Sequence, residues 1–326
     1  MTKIVQIGCG HWGKNLTRNF AEIGALAGVI DGNPDTASRM AKAYDVPVFT
    51  LDAALADPAV LGISLATPAL THAALAKQAL YAGKHVYVEK PLALNADDAE
   101  ALVRLADEHS LTLMVGHLLQ YHPVFREMQR QVEAGLIGDV QYVYSNRMSL
   151  GKFRTEENVL WSFAPHDFSM LLSLVGQEPN RVTAQGASFV TPGIADWCTV
   201  QFAFENGVRG HIQTSWLNPF KEQRLVVIGS AGMLVFEDSA AEWDKKLVHY
   251  AHRIVPTGAG PEPQKADAVF LPVDKGEPLK DECRHFVECI QTGATPRTDG
   301  REGLAVLRAL NMAEEALRAS LKGNTA

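Results

Sequence analysis

Cysteine is scarce in this chain. Its four residues, Cys9, Cys198, Cys283 and Cys289, are scattered through 326 positions. None forms a CxxC pair, and no Cys/His cluster has zinc-ligand spacing. A disulfide-stapled scaffold and a metal site are therefore not expected, and a chain of this length has core enough to need neither. Cys9 lies inside a glycine-rich loop that a disulfide would obstruct, so reduced thiols and a reducing, cytoplasmic setting are expected. Long apolar runs are also missing, and no stretch reaches membrane-spanning length. The opening MTKIVQIGCG lacks the cationic region, apolar core and cleavage site of a signal peptide. Basic charge is in deficit: 30 Lys and Arg stand against 37 Asp and Glu, a formal net charge of −7. That balance argues against non-specific nucleic-acid binding. No repeat or biased tract is present, and 47% hydrophobic with 21% charged residues is an ordinary globular composition.

What is there has two rhythms. Through residue 116, short apolar runs alternate with helical patterns. Strands are expected at Lys3–Gly8, Leu26–Ile30, Val48–Phe49, Gly62–Ala66, His85–Glu89 and Leu111–Gly116. Helices are expected between them, with Trp12, Leu16, Phe20 and Ile23 on the first, then over Thr36–Tyr44, Thr71–Ala82 and Ala96–His109. This alternation predicts an N-terminal α/β domain with a parallel sheet buried on both faces. After the helical pattern Val124–Ala134, strand-like stretches dominate: Val140–Met148, Arg181–Ser188, Thr199–Glu205, Val208–Trp216, Arg224–Gly229 and Met233–Glu237. Turn signals at Glu205-Asn206-Gly207 and Ser230-Ala231-Gly232 favour hairpins, so an α+β domain with a large, mainly antiparallel open sheet is expected. A helix is predicted over Trp161–Val175, a polar loop over Gly151–Asn158, a surface loop over Pro256–Pro263, and closing helices over Pro278–Gln291 and Gly303–Leu321. Asp299 and Glu302 have capping-box spacing. The boundary is expected near His122-Pro123, giving domains of residues 1–120 and 121–326, with the C-terminal helices free to pack back on the first domain.

Gly8-Cys9-Gly10-His11-Trp12-Gly13 is a GxGxxG that follows a strand and opens a helix. In such a turn Gly8 allows the tight bend, Gly10 lets a pyrophosphate approach the backbone, and Gly13 permits close helix–strand packing. The first N–H groups of the helix then face the phosphate charge. Asp31, 23 residues after Gly8 at the end of the second strand, can accept hydrogen bonds from ribose hydroxyls and would repel a 2′-phosphate. The expected cofactor is NAD rather than NADP, a preference that Arg39 on the next helix could soften. The plainer role for Asp31 is to cap the Asn33-Pro34 turn.

Ala66-Thr67-Pro68 with Thr71-His72, Glu89-Lys90-Pro91, and His166 in the helix Trp161–Val175 join the glycine turn in a pattern covering nearly the whole chain. The chain thereby resembles the glucose–fructose oxidoreductase/inositol dehydrogenase/MocA family, and its fold is expected to be a Rossmann domain followed by a substrate-binding and oligomerisation domain. The stretches VGHLLQYHPVF and YSNRMSLGKFRTEENVLWSFAPHD look most like those of sugar-nucleotide 3-dehydrogenases. That resemblance implies NAD-dependent oxidation of the 3-hydroxyl of a UDP-N-acetylhexosamine, foremost UDP-N-acetylglucosamine, to a ketone. It also implies a PLP-dependent aminotransferase as pathway partner, supplying 3-amino sugars to lipid A precursors, and a homodimer or homotetramer. Oxidation of a UDP-N-acetylhexosaminuronic acid or of a free sugar or inositol, reduction of a keto sugar nucleotide, and a non-catalytic NAD-binding sensor are the competing readings. Many members of the family carry Asp four residues before and three after the motif histidine; here those positions are Ser162 and Ser169, and Asp167 adjoins the histidine instead.

Oxidising a secondary alcohol needs a hydride acceptor, a base and a cation to steady the developing alkoxide. Lys90, at the carboxyl end of a parallel strand where such sheets place their ligand crevice, can supply the cation. His166 can take the proton. These two roles are interchangeable at the level of sequence. Pro91 is expected to fix the turn that aims Lys90, through a cis bond. Glu89 adjoins the lysine. By the resemblance, Thr67, Pro68 and His72 line the nicotinamide and ribose edge, and Gly8, Gly10, His11, Trp12, Gly13, Asp31, Glu89 and Lys90 complete the cofactor set. His117 and Tyr121 are expected near the substrate, and Arg147, Lys152, Arg154 and Asn158 have the basic or polar character that suits a diphosphate.

Overall fold

The structure, a computed structural model, describes residues 2–151 and 153–323. Lys152 lies outside the described residues. The chain begins β1 (Ile4–Ile7), α1 (Gly13–Glu22), β2 (Leu26–Ile30), α2 (Pro34–Tyr44), α3 (Leu51–Ala56), β3 (Gly62–Leu65), α4 (His72–Tyr81), β4 (His85–Glu89), α5 (Ala96–Glu108) and β5 (Leu113–Gly116). It continues with α6 (Pro123–Glu133), β6 (Val140–Met148), α7 (Val159–Phe163), α8 (Pro165–Val175), β7 (Arg181–Ala187), β8 (Trp197–Ala203), β9 (Arg209–Ser215), β10 (Glu222–Gly229) and β11 (Gly232–Glu237). Four short strands follow, β12 (Leu247–Tyr250), β13 (Arg253–Thr257), β14 (Gly260–Gln264) and β15 (Ala268–Phe270), and then α9 (Pro278–Thr292) and α10 (Gly300–Gly323). Backbone contacts divide these into two compact units: residues up to Tyr121 with Glu277–Arg308, and His122–Gly276 with the residues from Ala309 on.

The first unit holds a parallel sheet in the order β2-β1-β3-β4-β5. Strands β1, β3 and β5 are buried at every position, as continuous apolar runs demand when helices cover both faces. The strand expected at Val48–Phe49 is reduced to a bridge: Val48 pairs with Val29, held by hydrogen bonds from Val29 N to Pro47 O and from Phe49 N to Val29 O. The run is cut short because Thr50 caps α3, its hydroxyl accepting from Ala53 N. Counting that bridge beside β2, the order is the 3-2-1-4-5-6 of a Rossmann sheet, whose switch point lies between β1 and β3. Helix α9 covers this sheet with Phe286, which meets Phe20 and Tyr87 edge-on at centroid separations of 6.4 and 5.9 Å. Asp299 caps α10 by accepting from Glu302 N at 2.8 Å, as the capping-box spacing leads one to expect of its first half. The Glu302 carboxylate lies 2.6 Å from His117 Nδ1.

The second unit is built on an eight-stranded sheet in the order β15-β12-β11-β10-β6-β9-β8-β7, antiparallel throughout except where β6 runs parallel to β9. The long helix expected over Trp161–Val175 is two helices: α7 ends at Phe163 with Ala164 as its C-cap, and Pro165 starts α8 at its first position, where a missing N–H costs nothing. The loop expected over Pro256–Pro263 is the hairpin β13–β14, in which Pro256 faces Pro261. A two-stranded ribbon tolerates proline because each strand is an edge.

Phe286 is fully buried. Phe286→Ala should lower the unfolding free energy by about 3 kcal/mol, measured by urea denaturation, since truncating a buried phenylalanine leaves a cavity between sheet and helix.

Candidate active site

In the first unit, the glycine turn after β1 takes the form its sequence calls for. Gly8 has φ +83, and a β-carbon there would stand 2.6 Å from the carbonyl oxygen of Ala66. One on Gly13 would stand 1.9 Å from the carbonyl oxygen of Gly8. At Gly10 it would meet nothing within 4 Å. Gly8 and Gly13 are therefore bare for packing, whereas Gly10 is bare beside open space, as a bound pyrophosphate requires. Asp31 reaches into the turn: Oδ2 accepts from Cys9 N at 2.6 Å and Oδ1 from Asn33 N at 2.8 Å. It thus braces both the glycine turn and the start of α2, leaving lone pairs for ribose hydroxyls. Burial pushes the Cys9 thiol up to about 11, so it is no nucleophile.

The ends of β3 and β4 meet the same turn. Trp12 Nε1 donates to Glu89 Oε1 at 2.5 Å, and the Tyr87 hydroxyl donates to the same oxygen at 3.2 Å. Burial raises the Glu89 carboxyl, while Trp12 and the Lys90 ammonium act against that rise. The Lys90–Pro91 bond is cis. His72, only 1% exposed, lies between the carbonyls of Pro91 and Thr67, with Nδ1 and Nε2 each 2.8 Å away. It fastens the turn after Lys90 to the end of β3, and burial lowers its pKa. The Thr71 hydroxyl donates to Thr67 Oγ1 at 2.7 Å. His117 and Tyr121 are buried within this unit rather than on an open face: His117 Nδ1 lies 2.6 Å from Glu302 Oε2, and the Tyr121 hydroxyl 3.3 Å from Thr298 Oγ1. Glycine at 116 is needed because a β-carbon would stand 2.7 Å from the Tyr87 hydroxyl and 3.0 Å from Glu89 Oε1.

In the second unit, His166 is half-buried in the first turn of α8. Its neighbour Asp167, 1% exposed, accepts from the Ser145 hydroxyl at 2.6 Å and from Arg147 Nε at 2.5 Å. Arg147 is thus tied to the base of the histidine helix, whereas Arg154 is exposed with Glu157 3.8 Å away. Asn158 caps α7 through Trp161 N, and its amide donates to Glu314, which also accepts from the Trp161 indole. Ser145, Glu282 and Glu302 escaped the sequence reading of the site. Glu282 had a readable signal: a carboxylate on the apolar face of α9, among Leu279, Cys283, Phe286 and Ile290. Ser145 and Glu302 find their partners across 22 and 185 residues, which spacing does not reveal. Among the described residues, no group of three or more His, Cys, Asp or Glu could hold a metal. No described helix is long and apolar enough to cross a membrane.

Residues 2–117 match the family model described as oxidoreductase family, NAD-binding Rossmann fold, and residues 125–235 match the GFO/IDH/MocA C-terminal domain. The chain is 32% identical to UDP-N-acetylglucosamine 3-dehydrogenase of Acidithiobacillus ferrooxidans, over 97% of each chain. It is 28% identical to inositol 2-dehydrogenase of Rhizobium meliloti, over 90% of this chain and 88% of that one. The solved structure of the Acidithiobacillus ferrooxidans 3-dehydrogenase superposes with a TM-score of 0.84 at 28% identity, covering 98% of both chains.

The Arg147–Asp167 pair is removed from solvent, with side chains 12% and 1% exposed. Asp167→Asn should lower stability by about 3 kcal/mol in a denaturant titration, because it leaves the guanidinium buried opposite a neutral group.

Proposed function

Because the chain belongs to the Gfo/Idh/MocA family of oxidoreductases, we propose that it is an NAD-dependent dehydrogenase that oxidises the 3-hydroxyl of a UDP-N-acetylhexosamine, most directly UDP-N-acetylglucosamine, to the 3-keto sugar nucleotide. The observation that carries the chemistry is the placement of Lys90. It directly follows β4, whose last residue, Glu89, is hydrogen-bonded to Trp12 of the glycine turn, which puts Lys90 at the cofactor end of the sheet. The full-length similarity to a UDP-N-acetylglucosamine 3-dehydrogenase supports the substrate.

In this reading Gly8, Gly10, His11 and Gly13 hold the pyrophosphate with backbone N–H groups, and Asp31 takes the adenosine ribose. NAD, when bound, supplies the hydride acceptor. Lys90 donates a hydrogen bond to the substrate oxygen and steadies its growing negative charge, and His166 takes the hydroxyl proton. Exchange of those two roles leaves the overall chemistry unchanged. Asp167, engaged by Ser145 and Arg147, anchors the helix that carries His166. A C3 ketone is the substrate from which a PLP-dependent aminotransferase makes a 3-amino sugar, which places the reaction before such a step on the way to lipid A precursors. Four buried thiols are in keeping with a reducing cytoplasm. The outer face of the eight-stranded sheet, where Tyr144 and His211 stack 5.1 Å apart, is the face on which a dimer or tetramer would form. The similarity to inositol 2-dehydrogenase favours a cyclitol as the alternative substrate class.

The test is NADH formation from NAD with a panel of UDP-N-acetylhexosamines, a UDP-N-acetylhexosaminuronic acid and inositols. UDP-N-acetylglucosamine should be turned over fastest, with kcat/KM for NAD at least about tenfold above NADP. Lys90→Ala and His166→Ala should each lose about a hundredfold or more in kcat. Turnover of inositol alone would transfer the assignment to the cyclitol class, and retained activity in either variant would remove that residue from the mechanism.

A further inference from the structure

Gln6 is a primary amide inside the otherwise apolar strand β1, and it is 0% exposed. Its Nε2 donates to the carbonyl oxygen of Ile7 at 3.1 Å and to that of Gly8 at 3.0 Å. Both partners are carbonyls, which only accept, so the orientation of the amide is fixed by its neighbours. Its Oε1 has no partner among the described residues, so the favourable contribution of this side chain comes from its N–H groups. Ile7 O is also engaged in the sheet, accepting from Ala66 N at 2.9 Å. Gly8 O lies beyond the strand, in the contact between the turn and α1, where a β-carbon on Gly13 would stand 1.9 Å from it. The other end of that same peptide unit is the Cys9 N–H, which donates to Asp31 Oδ2 at 2.6 Å. One planar group is thus held from two sides, its carbonyl by Gln6 and its N–H by Asp31.

We propose that Gln6 is a positioning residue for the dinucleotide: by holding the Gly8–Cys9 peptide plane it fixes the Cys9 N–H, and through it the Asp31 carboxylate, in the orientation that receives the adenosine ribose. A peptide unit is rigid, so a rotation that swings the Gly8 carbonyl away carries the Cys9 N–H with it. Glycine at 8 offers little resistance to such a rotation, because its backbone has more freedom than that of any other residue. The Gln6 amide supplies the resistance from below. Asp31 Oδ1 is fixed separately by Asn33 N at 2.8 Å, so the carboxylate cannot follow a displaced Cys9 N–H and keep both bonds. With only one of them left it would turn more freely about its side-chain bonds, and its remaining lone pairs would no longer be aimed for a pair of hydroxyls. The two bonds to Asp31 are the charge-assisted kind, which makes the loss of one count for more than an ordinary hydrogen bond.

The inference rests on the reading of the glycine turn as a dinucleotide site, and its test separates the two. NADH and NADPH binding are followed by fluorescence titration, which needs no substrate, in the native protein, Gln6→Met, Asp31→Ala and the double variant. Methionine is unbranched like glutamine and offers no N–H. Gln6→Met should bind NADH about fivefold more weakly or worse. Its NADPH affinity should stay within about twofold of native, because a 2′-phosphate gains nothing from Asp31. A general loosening of the turn would instead weaken both ligands alike, since both carry the same pyrophosphate. Added to Asp31→Ala, the Gln6 change should cost no more than about a further twofold, because its effect passes through Asp31. Gln6→Val, a smaller residue suited to a buried strand, supplies the reading if Gln6→Met fails to fold. Native NADH affinity in the Gln6 variant, equal weakening of NADH and NADPH, or additive losses in the double variant would each overturn the proposal. So would a native protein that binds NADPH as tightly as NADH, since Asp31 would then have no part in the ribose site. A native protein that does not bind NADH would instead defeat the dinucleotide reading.

Discussion

A β-carbon on Gly13 would stand 1.9 Å from the carbonyl oxygen of Gly8, and the cofactor end of the first unit depends on that position staying bare. The contact presses the start of α1 against the end of β1, so the first N–H groups of the helix point out of the sheet's carboxyl edge. Asp31 then reaches Cys9 N from the end of β2, and Trp12 reaches Glu89 at the end of β4. Three strand ends are thus tied to one turn by two side-chain hydrogen bonds. The geometry that brings Lys90 to that edge is a consequence of the same ties.

Carboxyl groups do most of the polar work in both units, each in a different electrostatic setting. Asp31 is hydrogen-bonded to two backbone N–H groups. Glu302 is spent on His117 and Asp299 on the start of α10. Glu89 balances burial against Trp12 and Lys90. In the second unit, Asp167 lies in the first turn of α8, where the helix dipole favours negative charge, and it is committed to Ser145 and Arg147. Ser162 and Ser169 carry no charge at the two positions where the family resemblance leads aspartates to be expected, so neither position offers His166 a carboxylate.

The Rossmann half was legible in the sequence because its signals are local. Apolar runs bounded by glycine and the GxGxxG string are each readable within a dozen residues. The third strand was overread because Thr50 starts a helix where the apolar pair Val48-Phe49 suggested continued extension. Strands β13, β14 and β15 were invisible for the opposite reason: nearly all their residues are exposed, so no apolar alternation marks them. The glycine turn, Asp31 and Lys90 could be singled out by motif. Arg147 could not be assigned a partner that way, since its engagement with Asp167 is set by the packing of α8 on β6. The same holds for Glu302 and His117, which sequence separates by 185 residues and α10 brings together.

The central claim is that the glycine turn is shaped for a dinucleotide rather than merely for packing, and Gly10 isolates the two. A side chain there meets nothing within 4 Å in the protein itself, and its φ is not positive. The deciding measurement is calorimetric titration of Gly10→Val with NADH. The variant should unfold within about 0.5 kcal/mol of the native protein while losing NADH affinity by more than about tenfold. A Gly10→Val protein that binds NADH as tightly as the native one would contradict the account.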